Sequence, residues 1–108
     1  MTFDFVKFLR EFEDQLNHRA ASHIVNKAVS FVRVDTGNLR NSITLDRVRN
    51  DLREVWTNEV YARVQEYGHP LYPNYGFTPY MRPAARDARQ NIVEIAREAA
   101  KEALRRAQ

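Results

Sequence analysis

The sequence predicts a helix–hairpin–helix plan, in which two long helices flank one small antiparallel hairpin within a single domain, residues 1–108. Three observations support this prediction. Apolar residues recur every three or four positions near both ends of the chain, as in amphipathic helices. Two strand-like segments lie on either side of Asn50-Asp51. The chain has only three glycines and four prolines, too few for an all-β protein with frequent tight turns.

The first helix is predicted to begin at Phe5 and to run for roughly 27 residues, about twice the usual length. Thr2 is its expected N-cap. Charged residues interrupt the first sixteen positions, so we expect neither a signal peptide nor a transmembrane segment there, and synthesis in the cytosol. The apolar positions of this helix are Phe5, Phe8 or Leu9, Phe12, Leu16, Ala20, Ile24 and Ala28.

The hairpin is predicted over about residues 43–58, with its turn at Asn50-Asp51. If the loop has two residues, Leu45 faces Trp56 and Arg47 faces Glu54 on the same side as Ile43. That side of the sheet would then be apolar, with an ion pair toward the tip. The opposite side would be mostly polar.

A short helix is predicted over about residues 59–67, capped by Asn58 and ended by Gly68. Residues 69–80 form an irregular segment rich in aromatic residues and proline. The last helix is predicted over about residues 82–107, with Pro83 in its first turn. Its apolar face consists mostly of alanine, which implies close packing. Its exposed side carries three pairs at i, i+3 spacing, namely Glu94 with Arg97, Glu98 with Lys101 and Glu102 with Arg105.

The residues offer little support for catalysis, a cofactor or a metal. The chain has no cysteine, so disulfides, thiolate catalysis and cysteine-based metal sites are excluded. His18 and His23 are five positions apart on the first helix, which prevents them from sharing a metal as an i, i+4 pair would, and His69 stands alone in the irregular segment. We therefore expect no enzyme activity, no cofactor and no metal site.

The segment Asp35-Thr36-Gly37 matches the catalytic turn of retroviral-type aspartic proteases, which are short homodimers. That site needs two carboxylates held side by side by a glycine-rich all-β scaffold, and the predicted helices do not provide one. The alternative is an ordinary turn, in which Asp35 or Thr36 caps the next segment of the chain and Gly37 takes a positive φ. If the chain were such a protease, Asp35→Asn would abolish its cleavage activity. We expect the chain to have no cleavage activity.

The net charge of +3 arises from the last helix, because residues 82–108 hold seven basic and four acidic side chains. A basic helix can bind nucleic acid, and a small DNA-associated protein is the alternative function. Interleaved acids are more typical of a solvated face than of a phosphate track. The alanine stripe and the aromatic segment offer more apolar surface than a 108-residue monomer readily buries, which favours self-assembly.

Four segments, in this order and spacing, resemble a known family. They are Val34-Asp35-Thr36-Gly37-Asn38-Leu39-Arg40-Asn41-Ser42-Ile43, Val55-Trp56-Thr57-Asn58, Tyr61-Ala62-Arg63-Val64-Gln65-Glu66-Tyr67-Gly68 and Pro79-Tyr80-Met81-Arg82-Pro83-Ala84. The family is that of the phage head–tail joining and tail-completion proteins of the HK97 gene-product-ten type. The short aromatic segment from His69 to Phe77 departs from the family pattern.

The resemblance implies an α+β fold, with a small antiparallel sheet packed by a long N-terminal and a long C-terminal helix. It also implies a structural protein of a phage or prophage, located in the neck or at the head-proximal end of the tail. There the protein would be one subunit of a ring. The genome would pass through this ring without sequence-specific binding to the protein. The implied partners are further copies of itself, connector or head-closure proteins, and tail terminator or tail-tube proteins, with no membrane partner. The implied location is the virion, after assembly in the host cytoplasm.

The resemblance suggests structural roles for the matched residues. Gly37 and Gly68 would permit turns, and Leu39 and Ile43 would lead the chain into the sheet. Tyr61 and Tyr67 would clamp the short helix onto the hairpin, while Pro79 and Pro83 would fix the approach of the last helix. Glu66 would pair with Arg40 or Arg82, within a subunit or across a ring contact. The other motif residues expected to matter are Asp35, Thr36, Ser42, Asn58, Ala62, Tyr80 and Ala84.

Overall fold

A computed structural model describes residues 2–32, 37–59, 62–71, 76 and 78–108. It confirms the α+β fold: a long N-terminal helix, a two-stranded antiparallel sheet, a short helix and a long C-terminal helix. One further short helix precedes the sheet. The elements are α1 (Phe5–Phe31), α2 (Gly37–Ser42), β1 (Thr44–Arg49), β2 (Leu52–Trp56), α3 (Ala62–Tyr67), α4 (Met81–Gln90) and α5 (Ile92–Ala107).

Helix α1 has the predicted start and length, but its N-cap is Asp4. The Asp4 carboxylate accepts a hydrogen bond from the Lys7 amide at 3.0 Å, and the Asp4 carbonyl accepts one from the Phe8 amide at 2.9 Å. The prediction of Thr2 as the cap was wrong because an N-cap must directly precede the first helical residue, which is Phe5.

The hairpin turns at Asn50-Asp51 as predicted, but the predicted register was wrong. Leu45 pairs with Val55 and Arg47 with Arg53, because an irregularity between Arg47 and Arg49 adds one residue to β1. A shift of one residue moves every side chain of a strand to the opposite face. Trp56 therefore lies on the outer face of the hairpin, and Arg53 takes the inner position.

The long C-terminal helix is divided at Asn91 into α4 and α5. The Asn91 backbone (φ −105°, ψ 11°) departs from helical geometry, and its amide is shared between the Asp87 and Ala88 carbonyls at 3.1 Å each. The Asn91 side-chain amide donates to the Asp87 carbonyl at 2.8 Å. Asparagine competes in this way with backbone hydrogen bonding, which accounts for the interruption.

The core is narrow and consists mainly of small side chains. Helix α1 lies antiparallel to α4 and α5, and the hairpin packs on α1. Leu39 is the one large side chain that is fully buried among the described residues. The predicted alanine stripe of the last helix is the face that contacts α1. The buried alanines are Ala21, Ala28, Ala84, Ala88, Ala99, Ala103 and Ala107.

The protein is elongated, with principal extents of 64 × 24 × 21 Å. Its radius of gyration is 17.2 Å, whereas a compact domain of this length has about 13 Å. Small side chains let the helices approach closely, so the apolar surface is buried along the line of contact between α1 and the C-terminal helices and not in a globular core. Among the described residues, no helix has the length and apolar character needed to cross a membrane.

Candidate functional site

A buried carboxylate lies at the start of α4. Glu66, which is 4% exposed, extends from α3 so that its Oε1 accepts hydrogen bonds from the Tyr80 and Met81 amides at 3.1 and 2.6 Å. Its Oε2 accepts from the Arg82 amide at 3.3 Å and from Arg82 Nε at 2.9 Å. Glu66 thus caps a helix that is distant in the sequence, and joins α3 to α4.

The hydrogen bonds of Glu66 also determine its charge state. Burial raises the pKa of Glu66, but the hydrogen bonds from Arg82 and from three backbone amides outweigh burial and hold the pKa below its usual value. The four lone-pair positions of the carboxylate are all occupied by donors. An ionised carboxylate with no free acceptor position holds structure together and does not act as a general base.

Arg82 and Tyr80 complete this cluster. Arg82 Nη2 donates to the Glu66 carbonyl at 2.9 Å, and its guanidinium lies 4.8 Å from the centre of the Tyr67 ring. The Tyr80 hydroxyl donates to the Ala62 carbonyl at 3.2 Å. Burial, with a smaller contribution from the Glu66 charge, raises the pKa of Tyr80 to about 12, so the hydroxyl remains a donor. We call Glu66, Tyr80, Met81 and Arg82 the α4 clasp.

The geometry of the clasp distinguishes between Arg40 and Arg82, the two partners predicted for Glu66. The structure pairs Glu66 with Arg82 within the subunit, whereas Arg40 donates to the Val32 carbonyl at 3.1 Å. Tyr67 does not clamp the short helix onto the hairpin, because it is exposed and stacks with Arg82. The expectation was therefore wrong for Tyr67, and Tyr61 lies outside the described residues.

The first motif contributes to the core and to the entry into the sheet. Asp35 and Thr36 lie outside the described residues, and Gly37 is the first residue of α2. Leu39 lies in α2, the helix that precedes β1, and packs in the core beside Ala84. Ile43, between α2 and β1, packs against the same cluster. The Ser42 hydroxyl is hydrogen-bonded to the Thr57 hydroxyl and so ties α2 to the end of β2.

The remaining motif residues lie around α3 and the start of α4. Tyr61 is outside the described residues, and Asn58 is exposed between β2 and α3. Gly68 has φ 85° and donates its amide to the Val64 carbonyl at 2.8 Å, as expected of a helix-ending glycine. Pro79 directly precedes Tyr80, the N-cap of α4, and Pro83 lies in the first turn, where no amide donor is needed.

A charge cluster between the hairpin and α1 was not predicted. Asp14 of α1 binds Arg53, whose side chain is only 5% exposed, and lies 3.6 Å from Arg47 Nε. The two arginines face each other across the strands, and Asp14 offsets their repulsion. Asn50 at the turn adds a bond to the Arg10 carbonyl at 3.0 Å. Only the shifted register places Arg53 on the inner face, so no local pattern could have revealed this anchor.

We expect Asp14→Asn to lower the free energy of unfolding by about 2 kcal/mol, because it leaves the buried Arg53 without its counter-charge. The hydrogen bond from Arg53 holds the pKa of Asp14 below 3.8. The stabilisation is therefore present above pH 3.8 and disappears as the pH falls through the lower pKa of the folded state. Denaturant titrations of both proteins at several pH values measure this loss of stability and its pH dependence.

Asp51→Asn, at an exposed ion pair with Arg49, is the control and should change stability by less than about 0.5 kcal/mol. An equal loss in both variants would contradict the anchor.

A second unpredicted contact joins α1 to α4. His23 Nε2 lies 2.6 Å from Asp87 Oδ1, and this hydrogen bond is the main cause that holds the pKa of Asp87 below its usual value. Asn91 Nδ2 reaches the same oxygen at 3.2 Å. His18 and His23 lie along a shallow polar groove on α1. In the described part of the chain, no three histidine, aspartate or glutamate side chains are grouped so that they could hold a metal ion.

Most positive charges of the C-terminal helices are compensated within the subunit. Five of the seven basic side chains in residues 82–108 contact a carboxylate, and the three predicted i, i+3 pairs are present. A phosphate track would need these cations to be available. The pairs are Arg82 with Glu66, Arg97 with Glu94, Lys101 with Glu98, Arg105 with Glu102, and Arg106 with Glu102 and Glu11.

The N-terminal end of α1 exposes an apolar surface. Phe3, Phe5, Val6 and Leu9 are all between 47 and 61% exposed. The Phe8 ring contacts the rings of Phe3, Phe5 and Phe12 at centroid distances of 5.8 to 6.4 Å. Adjacent exposed apolar side chains of this size are typical of a contact surface. We call Phe3, Phe5, Val6 and Leu9 the apolar end.

A family model covers the chain from α1 through the hairpin to α3. It is described as “Bacteriophage HK97-gp10, putative tail-component” and matches residues 6–68, more than half of the chain. Three of the four motifs fall wholly within the match, and residues 79–84 lie beyond it. No curated protein and no solved structure matched the chain.

Proposed function

The chain belongs to the HK97-gp10-like family of bacteriophage tail components, and we propose that it is a structural subunit of the neck or the head-proximal end of the tail. There it completes the tail or joins it to the head, as one member of a ring and without catalysis. Family membership supports a tail component in the virion. The finer role rests on the shape and surface of the subunit.

The observation that carries this proposal is an elongated subunit with an uncovered apolar end. The molecule is 64 Å long and just over 20 Å thick, its core consists mainly of alanine, and four of its exposed large hydrophobic residues lie together at the start of α1. A monomer gains nothing from exposing Phe5, Val6 and Leu9 to water, whereas an assembled subunit can bury them. This distribution is typical of a component that is completed by its neighbours.

The proposed partners are those expected for this role. Further copies of the chain form the ring, and connector or head-closure proteins and tail terminator or tail-tube proteins contact its two faces. The genome passes through the ring without sequence-specific binding. Assembly takes place in the host cytoplasm, and the finished protein resides in the virion. The DNA-associated alternative is less well supported, because carboxylates already bind most cations of α4 and α5.

We expect the purified chain to form a ring, and Leu9→Glu to reduce its assembly, because a charge at the apolar end must be desolvated in the assembled state. Native mass spectrometry and negative-stain microscopy measure the subunit number and shape. Because Leu9 is 47% exposed, thermal unfolding of the variant subunit should be nearly unchanged. Leu71→Glu, at an exposed leucine beyond the end of α3, is the matched control and should assemble normally.

Three outcomes count against parts of the proposal. A wild-type chain that stays monomeric at high concentration contradicts the ring. A ring that tolerates Leu9→Glu shows that the apolar end is not one of its contacts. Tight binding of the isolated subunit to duplex DNA, weakening steeply with salt, favours the DNA-associated alternative.

A further inference from the structure

The outer face of the hairpin carries two carboxylates with no basic partner. Asp46 and Glu54 are direct cross-strand partners, and both are exposed. Asp46 accepts a hydrogen bond from Trp56 Nε1 at 2.6 Å, and no ion pair among the described residues involves either acid. Like charges directly opposite each other destabilise a sheet, so this arrangement has a cost for the isolated subunit.

The outer face of α4 carries the complementary charge. Arg82, Arg86 and Arg89 are spaced at i, i+4 and i+7, and thus form one row along the helix. Arg82 belongs to the α4 clasp, but Arg86 and Arg89 are exposed, and neither takes part in an ion pair within the described ranges. They differ in this respect from the basic residues of α5, which are paired with carboxylates on their own helix.

These two faces cannot meet within one subunit. The inner face of the hairpin, with Arg53, contacts α1, so Asp46 and Glu54 point away from α1. The buried face of α4, with Ala84 and Ala88, also faces α1. At 100° per residue, Arg86 and Arg89 lie on the opposite side of α4. Contact between the acidic face of the hairpin and these arginines therefore requires two molecules.

The spacing of the two pairs matches. Directly opposed residues on a hairpin have Cβ atoms about 4.5–5.5 Å apart, and residues three positions apart on a helix have Cβ atoms about 5–6 Å apart. Two carboxylates can thus bind two guanidinium groups at the same time. Exposed apolar side chains lie beside both sets, Trp56 next to the acids and Val93 one turn beyond Arg89.

We propose that the acidic outer face of the hairpin in one subunit binds the arginine row of α4 in the next subunit. This inference rests on the proposed ring and identifies the residues of its lateral contact. The two surfaces are different, so the contact is heterologous and runs head to tail around the assembly. Each of the two faces thus binds a second copy of the same chain. The carboxylates of one copy neutralise the arginines that the other copy leaves without an ion pair.

A charge-swap experiment tests the contact. One variant carries Asp46→Arg and Glu54→Arg, and the other carries Arg86→Glu and Arg89→Glu. Each variant alone presents like charges at both faces, and we expect the concentration needed for half-assembly to rise by at least about tenfold. An equimolar mixture of the two should assemble again, with the variants alternating. A chain carrying all four substitutions should also assemble.

Controls separate assembly from folding. The variant subunits should keep the thermal unfolding of the wild type, because all four residues are exposed. Glu54→Lys is a milder second variant, since it leaves the bond between Asp46 and Trp56 intact. Arg97→Glu, which reverses a cation already paired with Glu94, is the matched control and should assemble like the wild type.

The absence of cysteine allows a direct readout that needs no stable ring. A chain with Glu54→Cys and Arg89→Cys should form a ladder of disulfide-linked oligomers on oxidation, and neither single-cysteine variant should form more than dimers. If the wild type forms a ring, the charge variants assemble like it and no disulfide ladder appears, this contact is overturned but the proposed function is not. If the ladder appears and the mixture of charge variants assembles, but no closed ring forms, the contact is supported and the ring is contradicted. A monomeric wild type without a ladder overturns both.

Discussion

Replacing Glu66 with glutamine is expected to lower the free energy of unfolding by about 3 kcal/mol, one of the two largest effects that we expect of a single substitution in this chain. The glutamine amide keeps the size of the side chain but removes the charge, and it brings an NH₂ group toward donors that need an acceptor. The single amide oxygen of glutamine can accept from the Tyr80 and Met81 amides or from Arg82, but not from both pairs, so one pair of donors at the start of α4 loses its acceptor. Denaturant titration followed by circular dichroism measures the loss.

Two comparisons make this prediction specific. Glu98→Gln removes an exposed carboxylate paired with Lys101 and should change stability by less than about 0.5 kcal/mol. Arg82→Ala should cost less than Glu66→Gln, because it removes one side-chain donor and leaves the three backbone amides capped. If Glu66→Gln and Glu98→Gln have the same small effect, the α4 clasp does not stabilise the fold.

The clasp also predicts a pH dependence. The pKa of Glu66 is lowered in the folded state, so its contribution is complete above pH 4.5 and is lost as the pH falls through the lower folded-state pKa. The difference in stability between wild type and Glu66→Gln should therefore shrink when the titration is repeated below pH 4.5. A difference that stays constant down to about pH 2.5 would contradict an ionised, hydrogen-bonded carboxylate at this position.

Leu39→Ala is expected to cost about 3 kcal/mol, within the range of large-to-small substitutions in a close-packed core. Leu39 is 2% exposed and packs with Val32, Tyr80 and Ala84, where α2 closes the seam between α1 and α4. The neighbouring alanines have no side-chain length with which to fill the space. Thermal or denaturant unfolding measures the change.

Leu104→Ala is the matched control for this substitution. The same atoms are removed from a side chain that is 45% exposed on α5, so the expected cost is below about 1 kcal/mol. Equal losses for the two leucines would show that α2 relaxes into the vacated space, and that Leu39 is not the central residue of the core.

Local patterns were sufficient for the elements that depend on local interactions. The spacing of apolar residues predicted α1 from Phe5 and the alanine seam of the last helix, because a helix buries whichever side chains share one face. The turn at Asn50-Asp51 and the helix end at Gly68 were predicted for a similar reason, since each depends on a few adjacent residues. The i, i+3 pairs of α5 also follow from helix geometry alone.

Packing between distant segments decided the rest. The irregularity near Val48 shifted the register and placed Arg53 on the face that meets Asp14, a contact 39 residues away in the sequence. The choice of Arg82 over Arg40 for Glu66 depended on where α3 lies against the start of α4. Such choices depend on which donors and acceptors become buried together, and that information is absent from any short stretch of sequence.

The sequence by itself determined the order and type of the main elements, the narrow alanine core and the resemblance to a phage tail family. Only the tertiary structure decided which of the described charges are paired within the subunit and which have no ion pair there. The physical reason is that secondary structure follows from the period of apolar residues along the chain. Charge compensation depends instead on distances between elements: Glu66 and Arg53 are paired inside the molecule, whereas Asp46, Glu54, Arg86 and Arg89 are exposed and form no ion pair among the described residues.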